Sequence, residues 1–178
     1  YAAQGRALTN ELAERAQALF DRDSSFSYYY NTILSDGKWH HMMDQTHISY
    51  TYWQQPEKDV LPEVESIELP NAADMGVAIA GSDLWWPQAE AAAVLPEIDS
   101  ANRQRVYIDV FNRGAKPFNL NVEAAEPWLQ VLPRDYEIEK QQRLWLNVDW
   151  DAVPAGLHQA PIRLTGAGES VTVTAVVN

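Results

Sequence analysis

The stretch VYIDVF, residues 106–111, places apolar residues at every second position, the period that sends successive side chains to opposite faces of a β-strand. Five later stretches repeat this period, and turn sequences such as Asn112-Arg-Gly114 and Gly166-Ala-Gly168 separate them. With one more strand near 77–80, the pattern predicts a seven-stranded immunoglobulin-like β-sandwich. The five later strand stretches lie around 118–122, 136–138, 144–150, 162–164 and 171–177.

The N-terminal third has helical periodicity instead. Apolar residues recur every three or four positions over residues 3–21, and residues 21–25 are expected to break this first helix. A second, shorter helix is expected over 26–34, with Asp36-Gly37 closing it. One or two short amphipathic helices depend on tertiary packing, so we expect this segment to be the remnant of a helical bundle whose other helices lie upstream.

Three prolines and several acids make residues 56–74 an extended connector. We therefore expect two domains: residues 1–65, the end of a helical domain with an aromatic and histidine-rich segment and linker, and residues 66–178, the sandwich. The fold class is mixed, a helical segment followed by an all-β domain. Because the chain starts at Tyr1 rather than Met, we expect it to be part of a longer or processed protein.

Composition excludes several classes of function. The 13 basic and 25 acidic residues give a net charge of -12, and they form no basic cluster that would bind nucleic acid. The chain has no cysteine, which removes disulfides and thiolate chemistry. It also lacks the run of roughly 20 apolar residues that a membrane helix needs, so neither nucleic acid nor a membrane is an expected partner. Its glycines form no phosphate-binding loop, and no cofactor is expected.

The segment DGKWHHMMDQTHISYTYWQQP, residues 36–56, concentrates side chains that can carry chemistry. Three interpretations stay open. If the segment were helical, His40, Asp44 and His47 would face one metal ion, although its spacing matches no known metal motif and no metal is predicted. Alternatively, it fills an interface with a neighbouring domain, or it forms the wall of a substrate pocket. The candidate pocket or interface residues are Trp39, His40, His41, Asp44, His47, Tyr50 and Trp53.

In the second half, Trp85, Trp86 and Trp145 are candidate platforms for stacking on a sugar. Outward-facing tryptophans also pack on neighbouring domains, so this alternative stays open. Asp149 and Asp151 lie close enough in sequence to suggest a glycosidase carboxylate pair, but strand alternation makes them ordinary solvent-facing charges.

The 36–56 segment resembles the end of the helical domain of glycoside hydrolase family 115, the xylan α-glucuronidases. The resemblance rests on DGKWHHMMDQTHI (36–48), Tyr50-Thr51 and WQQP (53–56), and on NRQ (102–104), YIDVFNRG (107–114), Pro127-Trp128 and VDW (148–150), which are similar to the C-terminal sandwich of that family. It covers about residues 24–178. One departure is Ser49, where the family pattern has glycine.

This resemblance implies an inverting hydrolase that removes α-1,2-linked glucuronic acid, or its 4-O-methyl ether, from xylan. Its catalytic carboxylates lie upstream of the matched region, so no catalytic residue is expected in this chain, and the isolated chain is expected to be inactive. The implied partners are the upstream catalytic and helical domains, xylan-derived carbohydrate and a possible second copy. The polymeric substrate implies a secreted or periplasmic protein. The alternatives are a carbohydrate-binding module and a purely structural interaction module.

Overall fold

The computed structural model describes residues 1–133 and 136–178. The chain forms two compact units, one of Thr9–Ser66 and one that joins Tyr1–Leu8 to Ile67–Asn178. The first eight residues therefore belong to the same unit as the β-strands, although the helical segment lies between the two in sequence. Among the described residues, no helix combines the length and the apolar character that a membrane crossing requires.

The first unit begins with a single helix, α1 (Leu8–Tyr28), which continues into a π-helical turn at Tyr29–Ile33 and a tight turn at Leu34–Gly37. The predicted break at residues 21–25 is wrong. The Ser25 hydroxyl donates to the Asp21 carbonyl four residues earlier, at 2.8 Å, so the serine is accommodated inside the helix. Residues 44–74 contain neither helix nor strand, and the predicted connector, residues 56–74, lies within this stretch.

The second unit is a β-sandwich of two five-stranded sheets, which confirms the predicted fold class. One sheet has the strand order β2-β1-β4-β8-β6 and the other β3-β10-β9-β5-β7. All pairs are antiparallel except β3 with β10. The strands are β1 Met75–Ile79, β2 Trp85–Trp86, β3 Ala93–Val94, β4 Tyr107–Asn112, β5 Phe118–Ala124, β6 Leu129–Leu132, β7 Tyr136–Ile138, β8 Gln141–Val148, β9 His158–Gly166 and β10 Glu169–Val177.

All seven predicted strands are present, but the count of seven is too low, because the residues that the structure describes form ten strands. The three additional strands are β2, β3 and β6. Two of them are only two residues long, too short to establish a period of two, and β6 offers only Leu129 and Val131 as alternating apolar residues. Trp150 lies beyond the end of β8, although the sequence predicted it within that strand.

The core lies between the two sheets, and Ile108, Leu144 and Leu164 are among its fully buried residues. On β4, however, both faces are buried, because Phe111 and Asp109 on the outer face are also covered. The N-terminal segment Tyr1–Leu8 provides part of this cover. The guanidinium of Arg6 lies 4.2 Å from the Phe111 ring centroid, and its Nη1 is 3.8 Å from the Asp109 carboxylate.

The turn after β4 is held by Asn112, a buried polar residue whose hydrogen-bonding groups are satisfied. Its Nδ2 donates to the carbonyls of Lys116 and Glu139 at 2.8 and 3.0 Å, and its Oδ1 accepts from the Gly114 N–H at 2.9 Å. A Cβ at Gly114 would lie 2.0 Å from the Ala72 carbonyl oxygen. The close approach of two backbones therefore explains why glycine stands in this turn.

Candidate functional site

The 36–56 segment is irregular rather than helical, so the hypothesis that a helix aligns His40, Asp44 and His47 on one ion is wrong. The backbone around it is strained instead. Six non-glycine residues among those described have positive φ, and four of them lie between residues 35 and 49. Such conformations are unfavourable by about 1–3 kcal/mol each and cluster at functional sites. The four are Ser35, Asp36, His41 and Ser49.

Ser49 has a φ of 71°, a conformation that favours glycine. Its hydroxyl donates a hydrogen bond to the carbonyl of Val60. The backbone is therefore left-handed at the position where the family resemblance implies glycine, although serine stands there. The side-chain hydrogen bond compensates part of the conformational cost.

His41 and Asp44 form an oriented pair. Nδ1 of His41 contacts the Asp44 carboxylate, while the other carboxylate oxygen accepts from Asn31 Nδ2 at 2.8 Å. Asn31 is buried, and its own oxygen accepts from the Met43 N–H at 2.9 Å. The His40 ring stacks on His41 with 3.8 Å between centroids. Asn31 thus orients a carboxylate that in turn orients the exposed imidazole of His41 through its Nδ1.

His47 belongs to a different cluster. Its Nε2 lies 3.0 Å from Asp23 on α1, and its Nδ1 lies 3.7 Å from Asp59. The hydrogen bond to Asp23, followed by that to the Gln45 carbonyl, raises the pKa of His47. Desolvation acts to raise the pKa of Asp59, but the backbone N–H groups of Ile48 and His47 outweigh it and lower that pKa.

Asp23, His47 and Asp59 form the one group among the described residues whose geometry approaches that of a metal site, with one ligand atom from each within 4.8 Å of the others. A carboxylate–imidazole set of this kind suits zinc or iron. Here, however, the imidazole hydrogen-bonds to Asp23 through Nε2 and to the Gln45 carbonyl through Nδ1. The arrangement is therefore an ion-paired cluster that links helix α1 to the following segment.

The aromatic residues of the same segment are not buried. Trp53 is 88% exposed and lies edge-on to Tyr52, while the Lys38 ammonium lies 4.9 Å from the Trp39 ring centroid. Tyr50 is also exposed. These rings are available to a ligand or to a neighbouring domain, so the structure leaves both interpretations open.

A second candidate site lies on the sandwich, where the pairing between β4 and β8 ends. That pairing reaches Tyr107 opposite Trp145, and one further bond joins the Leu146 N–H to the Val106 carbonyl. Strand β8 continues to Val148, beyond this last bond, and a cavity of about 640 Å³ lies beside its end. We call this cavity the β8 groove; its lining residues are Ile98, Arg103, Gln104, Arg105, Leu132, Pro133, Trp145, Leu146, Asn147, Val148 and Trp150.

Both tryptophans of the β8 groove are half-buried and each lies beside an arginine. The guanidinium carbon of Arg105 is 4.5 Å from the Trp145 ring centroid, and that of Arg103 is 6.0 Å from Trp150. Tyr107 contacts Trp145 edge-on at 5.6 Å. The groove thus combines indole surfaces with cationic donors, a combination typical of sites that bind polar ligands with apolar faces.

The other two candidate platforms differ from Trp145. The prediction that Trp86 is a platform for a sugar is wrong. This residue is buried in the sandwich core and its Nε1 donates to the Ala91 carbonyl at 2.6 Å, so it offers no face to a sugar. Trp85 is half-buried, edge-on to Phe111 at 6.1 Å, with the Arg113 guanidinium 4.2 Å from its ring centroid. Arg113 covers Trp85 and also pairs with Asp74, so this tryptophan is part of a structural cluster.

Four lining residues of the β8 groove are not among the site residues predicted from the sequence: Arg103, Gln104, Arg105 and Asn147. The sequence does place two cations next to a strand, because Arg103 and Arg105 lie two positions apart just before β4. That these arginines lie beside Trp145 and Trp150, however, follows only from the register of β4 with β8, which sequence periodicity does not determine.

No protein-family model and no curated protein matches this chain. Among solved structures, it is similar to a glycoside hydrolase family 5 xyloglucanase from Bacteroides ovatus in complex with a XXXG heptasaccharide, at a TM-score of 0.40 and 15% identity. It is also similar to domains 4 and 5 of the S-layer protein SbsC, at a TM-score of 0.35 and 15% identity. Each alignment covers 57% of this chain, and they span 18% and 50% of the other two. Similarities this low carry no conclusion about function, and membership of family 115 stays a prediction.

Proposed function

We propose that this chain is the supporting C-terminal region of a glycoside hydrolase that removes (4-O-methyl)-glucuronic acid from xylan side chains. The observation that carries the proposal is the 36–56 segment. Its sequence resembles family 115, and its backbone is strained and organised by the Asn31–Asp44–His41 chain of hydrogen bonds. Strain of this kind is retained where function requires it.

In this proposal the catalytic carboxylates belong to upstream domains of the same polypeptide, which is secreted or periplasmic and acts as a single chain or as a homodimer. The exposed apolar side chains of Thr9–Ser66, such as Leu19, Phe26 and Met42, support this arrangement. Helical segments with uncovered apolar residues gain most of their stability from a packing partner. The upstream helical domain is the partner that we propose.

An antibody raised against the 178-residue chain tests this proposal in the protein's natural source. Immunodepletion is expected to remove the activity that releases glucuronic acid from aldouronic acids, and the captured polypeptide should be several times heavier than 20.1 kDa. The purified 178-residue chain should release none above a buffer blank. β-Xylosidase activity in the depleted sample serves as the control and should be unchanged. Retained glucuronidase activity, or a captured mass near 20.1 kDa, would contradict the proposal.

The β8 groove favours a second role, the binding of carbohydrate by the sandwich. Trp145 and Trp150 offer indole surfaces to sugar C–H groups, and Asn147 places an exposed amide group in the same cavity. Isothermal titration with xylotetraose is expected to detect binding that Trp145→Ala abolishes. Trp85→Ala, on the part of the sheet next to Phe111, is the matched control and should bind normally. No heat of binding, or equal loss in both variants, would count against this role.

A further inference from the structure

We infer that the β8 groove selects carbohydrates that carry carboxylate groups, with Arg103 and Arg105 binding the carboxylate while Trp145 and Trp150 contact sugar faces. This inference rests on the carbohydrate-binding role proposed for the same groove and adds the charge of the ligand. It is carried by the placement of the two arginines, by the absence of a described carboxylate that pairs with either of them, and by the size of the cavity.

The lining of the groove has the opposite charge to the protein as a whole. The whole chain has a net charge of -12, yet the lining of this cavity includes two arginines and no carboxylate among the described residues. Two of the acids that flank the lining residues in sequence are hydrogen-bonded within turns of their own. Asp99 accepts hydrogen bonds from the N–H groups of Ala101 and Asn102, and Asp149 accepts from the Asp151 N–H. The described lining residues therefore carry positive charge on an acidic protein, and their two guanidinium groups favour an anionic ligand.

The two groove arginines differ from Arg143, which also lies on the outer face of this sheet. Arg143 donates to both carboxylate oxygens of Asp109, at 2.7 and 2.9 Å, and its role is structural. Within residues 1–133 and 136–178, no carboxylate pairs with Arg103 or Arg105. Arg103 donates through Nε to the Ser100 carbonyl at 3.2 Å, which leaves its terminal nitrogens available.

Guanidinium groups are suited to this role because their planar N–H donors bind both oxygens of a carboxylate at once. The contact between Arg105 and the Trp145 ring restrains the guanidinium beside the indole, so that little side-chain freedom is lost when a ligand binds. The cavity volume of about 640 Å³ lies within the range of roughly 300–1,000 Å³ that is usual for small-molecule sites. A uronic acid residue together with its neighbouring sugar matches this chemistry.

Isothermal titration of the 178-residue chain with a matched ligand pair tests the inference. The pair is xylotetraose and xylotetraose bearing one 4-O-methylglucuronic acid. We expect the acidic ligand to bind about tenfold more tightly, since charged hydrogen bonds contribute more than neutral ones. The preference should shrink when salt is raised from 20 to 500 mM. In Arg103→Gln/Arg105→Gln the ratio of the two affinities should fall to about one.

The control variant is Arg163→Gln on β9, in the opposite sheet, where the side chain is exposed and hydrogen-bonds to Ser170. It removes one positive charge from the protein without touching the groove and should preserve the preference. Thermal unfolding of every variant establishes that it is folded. Equal affinity for both ligands would overturn the inference while leaving the carbohydrate-binding role intact. Binding of neither ligand would overturn both. A preference that survives in the double arginine variant would also overturn the inference, because another site would then carry it.

Discussion

The β-sandwich and the Thr9–Ser66 unit differ in how many of their large apolar side chains are exposed. The hydrophobic core consists entirely of residues from the sandwich, and five large apolar residues are exposed among those described in the Tyr1–Leu8 and Ile67–Asn178 unit. The shorter Thr9–Ser66 unit exposes thirteen, among them Leu19, Phe26 and Trp53. The sandwich therefore supplies its own packing, whereas the side-chain contacts described within the helical unit are mainly local hydrogen bonds and ion pairs.

A matched pair of leucine substitutions tests this difference and has the largest expected effect. Leu164 on β9 is fully buried, and Leu164→Ala should lower the free energy of unfolding by about 2–5 kcal/mol. Leu19 on α1 is 55% exposed, and Leu19→Ala should change it by less than about 0.5 kcal/mol. Urea denaturation of the 178-residue chain measures both. Similar losses in the two variants would show that the helical unit has a core of its own.

Arg6 sharpens the comparison, because it precedes the helix in sequence but packs on the sandwich. Arg6→Ala should destabilise the sandwich by about 1–3 kcal/mol, since it removes a buried side chain that contacts Phe111 and donates to Gln141 at 2.8 Å. Asp109 would keep its bond to Arg143, so no buried charge is orphaned.

The matched control for Arg6 is Arg105→Ala, at an exposed position before the same strand β4, which should cost less than about 0.5 kcal/mol. The tryptophan fluorescence change on urea unfolding reports both variants. If Arg6→Ala were as mild as Arg105→Ala, the N-terminal segment would not be an integral part of the sandwich.

His47 gives the smallest expected effect, a pH dependence confined to the helical unit. Asp23 raises the folded-state pKa of His47 above the ordinary value of 6.5. The folded state thus binds this proton more tightly than the unfolded state. Its contribution to stability is fully present below pH 6.5 and is lost as the pH rises through the folded-state pKa.

An NMR titration of the His47 imidazole measures this shift directly. Asp23→Asn should lower the midpoint of the titration, whereas Asp21→Asn, which removes an exposed partner of Gln17 on the same helix, should leave it unchanged. An unchanged midpoint in Asp23→Asn would contradict the role assigned to this ion pair.

The sandwich was more predictable from sequence than the helical unit. In a half-buried strand such as β5, the sequence shows the period of two that strand geometry imposes. Phe118 and Leu120 are buried, while Asn119 and Asn121 are exposed. Short strands such as Trp85–Trp86 carry no period and were missed. In the helical unit, serines at 24 and 25 suggested a break, but the backbone of α1 accommodates them within one continuous helix.

The candidate sites were less predictable from sequence than the fold, because they depend on long-range geometry. The 36–56 segment was identified from composition, but the sequence assigned His40, Asp44 and His47 to one cluster, whereas the structure pairs Asp44 with His41 and His47 with Asp23. Asp23 lies 24 positions away, beyond the reach of any local pattern. Likewise, the sequence indicated Trp145 but not the arginines beside it, since their proximity results from strand register.

Hydrogen–deuterium exchange of the 178-residue chain tests the contrast between the two regions most directly, because it reports the local opening free energy of each segment. We predict that the amides of β4, β8 and β9 exchange only through global unfolding. Those of Thr9–Ser66 should exchange orders of magnitude faster. Equal protection of both units would contradict the account, since the helical unit would then be stable without the partner domain that we propose.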